Sequence, residues 1–430
     1  MTIDRTVAPS VSQIGDFEIM KPLRRPMNNG VMLNVIEAGN EEVVRFDLVI
    51  RGGQLIQTQP LQAFYTNRML REGTKKYTSK EIAEKLDYYG AWLDMSSSIN
   101  YGFITLYSLN KYFEYTMEVL ASMIKEPAFD EDKLRIMTEA GRQNFLVNEE
   151  RVDVLAHKQL ISSLFGKNHP LGRFAEKEDY DKVTVDVLKA MYNQSYNSSN
   201  SIAFVSGKVT DEVVKCIEKF FGNEKWGTTD SVVEFKTFIP ETDCRKRINI
   251  VKEGALQSSL KLGGFTIPRS NDDFQKFRLL VTLFGGYFGS RLMSNIREDK
   301  GYTYGISAGI ISYPVENALV VSTEADNEYV LPIIDEVYHE IDRLQNELVG
   351  EKELEMVRNY MLGDICRSYE GAFSLSDAWI YSESIGSDYD FFAKSIAAIR
   401  EVTVEDILRM SQKYLNKENL IEVVAGREIH

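Results

Sequence analysis

The chain has 430 residues, of which 43% are hydrophobic and 27% charged, the balance of a soluble globular protein long enough for about two or three cores. Its formal net charge of −14 argues against nucleic acid or an anionic membrane as partner, because both reward a basic surface. A basic peptide would be steered favourably, although the same acid also serves solubility.

The first residues, MTIDRTVAPSVSQIGDFEI, lack the apolar core of a secretory signal, and no run of about 18 uncharged apolar residues follows. VVRFDLVIRGG (43–53) reads as a strand broken by paired glycines. The stretch FYTNRMLREGT (64–74) follows. Thr78 and Glu81 then form a T-x-x-E capping box, the helix runs through KEIAEKLDYY, and Gly90 supplies a left-handed stop. Alternation returns in YGFITLYSL, before a helix KYFEYTMEVLASMIKE that Pro127 ends. Asp153 and His157, and later Glu336, His339 and Glu340, are acid–histidine groups at helical spacing; they read as salt-linked helix faces rather than metal ligands.

Two endings match. VTVDVLKAMYNQSY (183–196) leads to SIAFVSG (201–207), and VTVEDILRMSQKYL (402–415) leads to LIEVVAG (420–426), each a helix capped by Thr184 or Thr403 and followed by a strand that stops at glycine. SSLKLGGF (258–265) echoes the strand at 43–53, again broken by glycines. The polar, periodless stretch 223–246 reads as a linker. The expected fold class is therefore α+β, with two homologous domains, 1–222 and 247–430, each a mostly antiparallel sheet with helices on one face. In the second half, GGYFGS (285–290) reads as a flexible turn, and SRLMSNIREDKG (290–301) as a helix burying Leu292 and Ile296, with Arg297 in its last turn and Gly301 as its stop. A strand starting beside Tyr304 follows at once, so the two side chains can converge. Three scattered cysteines, Cys216, Cys244 and Cys366, make neither a disulfide framework nor a metal clip and point to a reducing compartment, hence the cytoplasm.

MLREGTKKYTSKEIAEKLDYYGA (69–91), HPLGR (169–173) and GGYFGSRLMSNIREDKGYTYGISAG (285–309) together resemble the pitrilysin and mitochondrial-processing-peptidase family of zinc peptidases, small two-domain type. Active members carry H-x-x-E-H, in which two histidines on one helical face and a distant glutamate bind zinc and the motif glutamate is the general base. Carried over, the resemblance puts Phe64 and Arg68 at the histidines, Asn67 at the base and Asn144 at the distant ligand. Phenylalanine has no lone pair, arginine is a permanent cation, and asparagine takes no proton from water, so no metal is expected in this chain. His169, in HPLGR, reads as structural.

The resemblance further implies that Arg297 and Tyr304 are the pair that reaches a partner's zinc site, where Tyr304 donates to the oxyanion and Arg297 clamps a carbonyl. The expected partner is a homologous H-x-x-E-H-bearing subunit that holds the zinc, with peptides as substrates. The rival expectation is a non-proteolytic, peptide-holding scaffold that self-associates. Family substrates are gripped as an added strand; the corresponding stretch here, 91–109, reads as an ordinary sheet edge.

Overall fold

The structure, a computed structural model, describes Thr6 and residues 14–314 and 316–428; His430 lies outside them. The first half supplies strands β1 (Leu23–Pro26), β2 (Met32–Glu37), β3 (Val43–Arg51), β4 (Trp92–Ser97), β5 (Tyr101–Leu109) and β6 (Ser201–Gly207). Its helices are α1 (Gln62–Met69), α2 (Ser79–Tyr88), α3 (Phe113–Lys125), α4 (Glu131–Asn148), α5 (Val152–Phe165), α6 (Val185–Ser195) and α7 (Asp211–Ile217). The second half supplies β7 (Arg247–Val251), β8 (Ser258–Thr266), β9 (Thr303–Ser312), β10 (Asn317–Ala325) and β11 (Ile421–Gly426). With them come α8 (Phe274–Val281), α9 (Val330–Asn346), α10 (Glu351–Ser368), α11 (Ala372–Ser384), α12 (Phe391–Glu401) and α13 (Val404–Tyr414).

The sheets run β1-β2-β6-β3-β5-β4 and β7-β11-β8-β10-β9. In each, one parallel pair, β2 with β6 or β7 with β11, joins an otherwise antiparallel ladder. Apart from β1 the two orders superimpose strand for strand, and Thr184 and Thr403 cap the matching helices α6 and α13, as their duplicated sequences require. The Thr78–Glu81 capping box and the left-handed Gly90 are present. Residues 223–246 contain neither helix nor strand.

Each sheet buries one face under its own half's helices: Phe46, Leu48, Ile104 and Val205 pack against α1, α3 and α6, and Leu260, Leu262, Val321 and Val424 against α8, α9 and α13. The opposite faces are covered by an exchange. Helix α5, from the first half, lies on β8 and β11 through Leu160, Ile161 and Leu164, while α11, from the second half, lies on β2 and β6 through Leu375, Ala378 and Trp379. Apolar burial on both faces at roughly 25 cal/mol per Å² makes the halves mutually dependent.

The exchange explains a misreading. Gly263 and Gly264 do not break β8; they lie inside it, and a Cβ at Gly263 would meet Leu160 of α5 at 2.8 Å. Glycine there admits the exchanged helix. Gly285 likewise is no flexible turn: it lies within a π-helical segment, Thr282–Gly286, and a Cβ on it would lie 2.6 Å from the Ala308 backbone nitrogen in β9.

In the second half, Asp273 ties α8 to α13. Arg409 donates two bonds of 2.9 Å to its carboxylate and Tyr414 Oη donates a third of 2.7 Å. The bonds from Arg409 above all hold this carboxyl far below its ordinary value. A depressed folded pKa means the contribution is complete at neutral pH and is lost as pH falls below about 4, the unfolded carboxylate value, towards the folded one. Asp273→Asn is therefore expected to lower stability at pH 7 and to flatten the acid limb of the stability curve, measured by urea unfolding between pH 7 and pH 2.

Candidate functional site

Helix α1 presents the residues aligned with the zinc motif. Phe64 is 41% exposed, and the Arg68 guanidinium, one turn on, lies 5.0 Å from its ring centroid. The i, i+4 face that would offer two imidazoles instead carries a cation–π contact. Asn67 faces the other way: it is fully buried, and its Nδ2 donates to Tyr196 Oη at 3.3 Å. A buried amide bonded to a tyrosine reaches no water.

Helix α4, which carries Asn144, packs against α1 through Tyr65, whose Oη donates to the Met137 carbonyl at 3.3 Å. Gly141 permits this approach, since a Cβ there would lie 2.1 Å from Tyr65 Oη. Asn144 itself is exposed, and its side chain makes no hydrogen bond to the described residues.

At the positions that the resemblance assigns to the two histidines stand phenylalanine and arginine, with asparagine at the base, and these residues do not fit a zinc ion. Among the described residues no three His, Cys, Asp or Glu side chains form a cluster that could hold one. Asp153 is paired with Arg151 at 2.8 Å, and His157 is exposed, its pKa lowered by desolvation among its neighbours and then by Lys261. Glu336 is paired with Lys300, while Glu340 accepts from Asn295 and Arg343. His169 is buried between the Phe165 and Phe238 rings, its Nδ1 accepting from the Leu171 amide at 3.1 Å. Protein equilibrated with zinc and dialysed is expected to retain well under one ion per chain by elemental analysis, with no rise in melting temperature.

The second set of residues is arranged differently. Met293–Asp299 form a π-helical segment with Ile296 buried, Arg297 in its last turn and Gly301 at φ 68° as the stop. Rare π turns concentrate at functional sites. The Arg297 guanidinium rests 4.7 Å from the Phe288 ring centroid and has no acidic partner among the described residues. Phe288 is itself exposed.

Tyr304 opens the edge strand β9. The ladder to β10 shifts register between Thr323 and Ala325, so Tyr304 and Gly305 together oppose Glu324. This is a bulge of one extra residue, the device that re-aims a side chain at a sheet edge. Hydroxyls pin it: Thr303 Oγ1 accepts from the Gly305 amide at 3.1 Å and donates to the Glu324 carbonyl at 2.7 Å, and Thr323 Oγ1 donates to the Gly305 carbonyl at 2.8 Å. Tyr304 is left 91% exposed and without a hydrogen bond to any described residue. Arg297 and Tyr304 thus lie at successive element ends without bonding to each other. The threonines of the bulge escaped sequence reasoning, although Thr303 directly before the exposed tyrosine was the available signal.

Comparison with known proteins gives the family. The family profile described as "Insulinase (Peptidase family M16)" matches residues 35–176, and "Peptidase M16 inactive domain" matches residues 182–361. The chain is 22% identical to the "Uncharacterized zinc protease YmxG" of Bacillus subtilis (strain 168) over 84% of its own length and 87% of that protein's. It is 23% identical to the "Probable inactive metalloprotease YmfF" of the same organism, over 70% of this chain and 71% of that one. The crystal structure of a peptidase M16 inactive domain from Pseudomonas fluorescens superimposes with a TM-score of 0.85 at 20% identity, covering 95% of this chain and 99% of that one.

Proposed function

Because the chain belongs to the M16, insulinase-type, peptidase family as one of its non-catalytic members, we propose that it is the zinc-less subunit of a heterodimeric metalloendopeptidase acting on peptides in the cytoplasm. In this reading residues 1–222 and 247–430 are its two domains, and the partner is a homologous chain bearing H-x-x-E-H and the zinc. The observation that carries the proposal is Tyr304: a bulge and three hydroxyl-mediated bonds fix an exposed phenol that bonds to none of the described residues.

The chemistry follows from the groups. The Tyr304 hydroxyl donates to the oxyanion of a tetrahedral intermediate held in the partner's site, and the Arg297 guanidinium binds a substrate carbonyl or the same charge. Neither activates water; that belongs to the partner's metal. The name of YmfF, an inactive metalloprotease, supports a family role without hydrolysis, and that of YmxG, a zinc protease, supports the kind of partner proposed. Native mass spectrometry on the protein captured from its own cells tests the reading. The expected result is a complex with one chain of similar mass that carries H-x-x-E-H and one zinc. A metal-free homo-oligomer would overturn the partnership and assign the chain to a scaffold.

A further inference from the structure

In the second half lies a chamber of about 190 Å³, walled by α8, α11 and α12, the end of α10 and the β9 end far from Tyr304. Two arginines line it, Arg269 and Arg278, and among the described residues no carboxylate does. Arg278 donates from Nη1 to Gln275 Oε1 and to Ser395 Oγ, both at 3.1 Å, and its Nε and Nη2 have no partner among the described residues. Arg269 donates to Tyr381 Oη at 2.9 Å and lies over the same ring, again with no acidic partner among the described residues. Burial lowers the pKa of both, and Arg278 lowers that of Arg269 further.

Two half-buried like charges set together without a counter-ion among the described residues oppose folding, since a desolvated cation is ordinarily paired. Folding alone gives no reason for the pair; an anionic ligand does. Their planar forks match a carboxylate. Tyr381 and Ser395 accept from the arginines and keep their own hydroxyl hydrogens to donate, and burial keeps the Tyr369 phenol protonated beside them. The rest of the wall is apolar, including Phe274, Ile310 and Phe392. The volume equals roughly six waters, room for one carboxylate-bearing residue and too little for a nucleotide. Arg269 and Phe391 also border an outer groove of about 630 Å³, which gives such a residue's chain a way out.

We propose that this chamber binds a carboxylate carried on an apolar body, specifically the C-terminal residue of a peptide. The assignment uses none of the residues offered to the partner's zinc site and stands without that partnership.

Titration calorimetry on the full chain tests it with N-acetyl-Ala-Ala-Phe as the free acid, the same peptide as its C-terminal amide, and inorganic phosphate. The free acid is expected to bind saturably and the amide at least tenfold more weakly. Arg278→Met is expected to weaken the acid at least tenfold while raising the melting temperature of the ligand-free protein, because an unpaired charge is removed; Arg278→Lys should retain part of the affinity. Equal binding of acid and amide, binding of phosphate without the peptide acid, or no binding of any probe would overturn the proposal. A fall in melting temperature for Arg278→Met would make the arginine structural and overturn it as well.

Discussion

Asp47→Ala is expected to lower the stability of the protein by about 3–5 kcal/mol, the cost of leaving a buried charge without its partner. Arg45 and Asp47 stand two apart on β3, so both point to the sheet face that α11 covers. Arg45 donates to Asp47 Oδ1 from Nε at 3.0 Å and Nη2 at 2.8 Å, and reaches across to Asp377 of α11 at 2.6 Å and the Phe373 carbonyl at 3.2 Å. Thr105 of β5 and Ser376 of α11 complete Asp47 with bonds of 2.7 and 3.1 Å. Asp377 is largely exposed and compensates Arg45 poorly, so the loss falls on Asp47. The cluster clasps α11 to a sheet built more than three hundred residues earlier. Denaturant unfolding should show the loss, and limited proteolysis should cut residues 372–384 at protease concentrations that leave the wild type intact. Arg45→Met/Asp47→Leu, which removes both charges, should recover most of the stability. A single variant within about 1 kcal/mol of wild type would mean that the clasp contributes no more than an ordinary surface pair.

That cluster shows what the sequence made legible. Local signals were readable because they act over one turn: Thr78 with Glu81, Thr184 and Thr403 as caps, Gly90 and Gly301 as left-handed stops. The duplication survived because both halves solve the same packing problem with the same helix and strand. The exchange of α5 and α11 was not legible, since a periodic apolar stripe states that a face is buried and not which sheet buries it. Two of its traces were visible and ambiguous. Gly263–Gly264 resembled a strand break, although Gly263 makes room for Leu160 and Gly264 for the Asn419 backbone. Arg45 and Asp47 are charges within an apolar strand, and their i, i+2 spacing places both on one face without saying what covers it. At the candidate site, the chemistry of Phe64, Asn67 and Arg68 was readable from residue type alone. The bulge that aims Tyr304 required the register of a neighbouring strand, which no single segment records. The paired arginines of the inner chamber were hidden for the same reason: Arg269 precedes α8 and Arg278 lies within it, and the absence of acid comes from α10, α11 and α12.

In the reconstituted two-chain peptidase, Tyr304→Phe is expected to slow peptide cleavage at least tenfold, and up to the roughly 10²–10³ seen when one oxyanion donor is removed. Tenfold is about 1.4 kcal/mol of transition-state stabilisation. The phenol's exposure makes this test clean. Its hydroxyl bonds to none of the described residues, so the variant should unfold within about 0.5 kcal/mol of wild type and assemble normally. Tyr88→Phe, at another exposed tyrosine far along the chain on α2, is the matched control and should leave turnover unchanged. The two halves of the pair should also separate kinetically. A donor that meets only the oxyanion lowers kcat and kcat/KM together, whereas Arg297→Met, which removes a contact to the ground-state carbonyl as well, should raise KM in addition. If Tyr304→Phe leaves kcat untouched in an assembled, zinc-loaded complex, the tyrosine has no part in the chemistry, and the bulge that presents it belongs to the subunit interface instead.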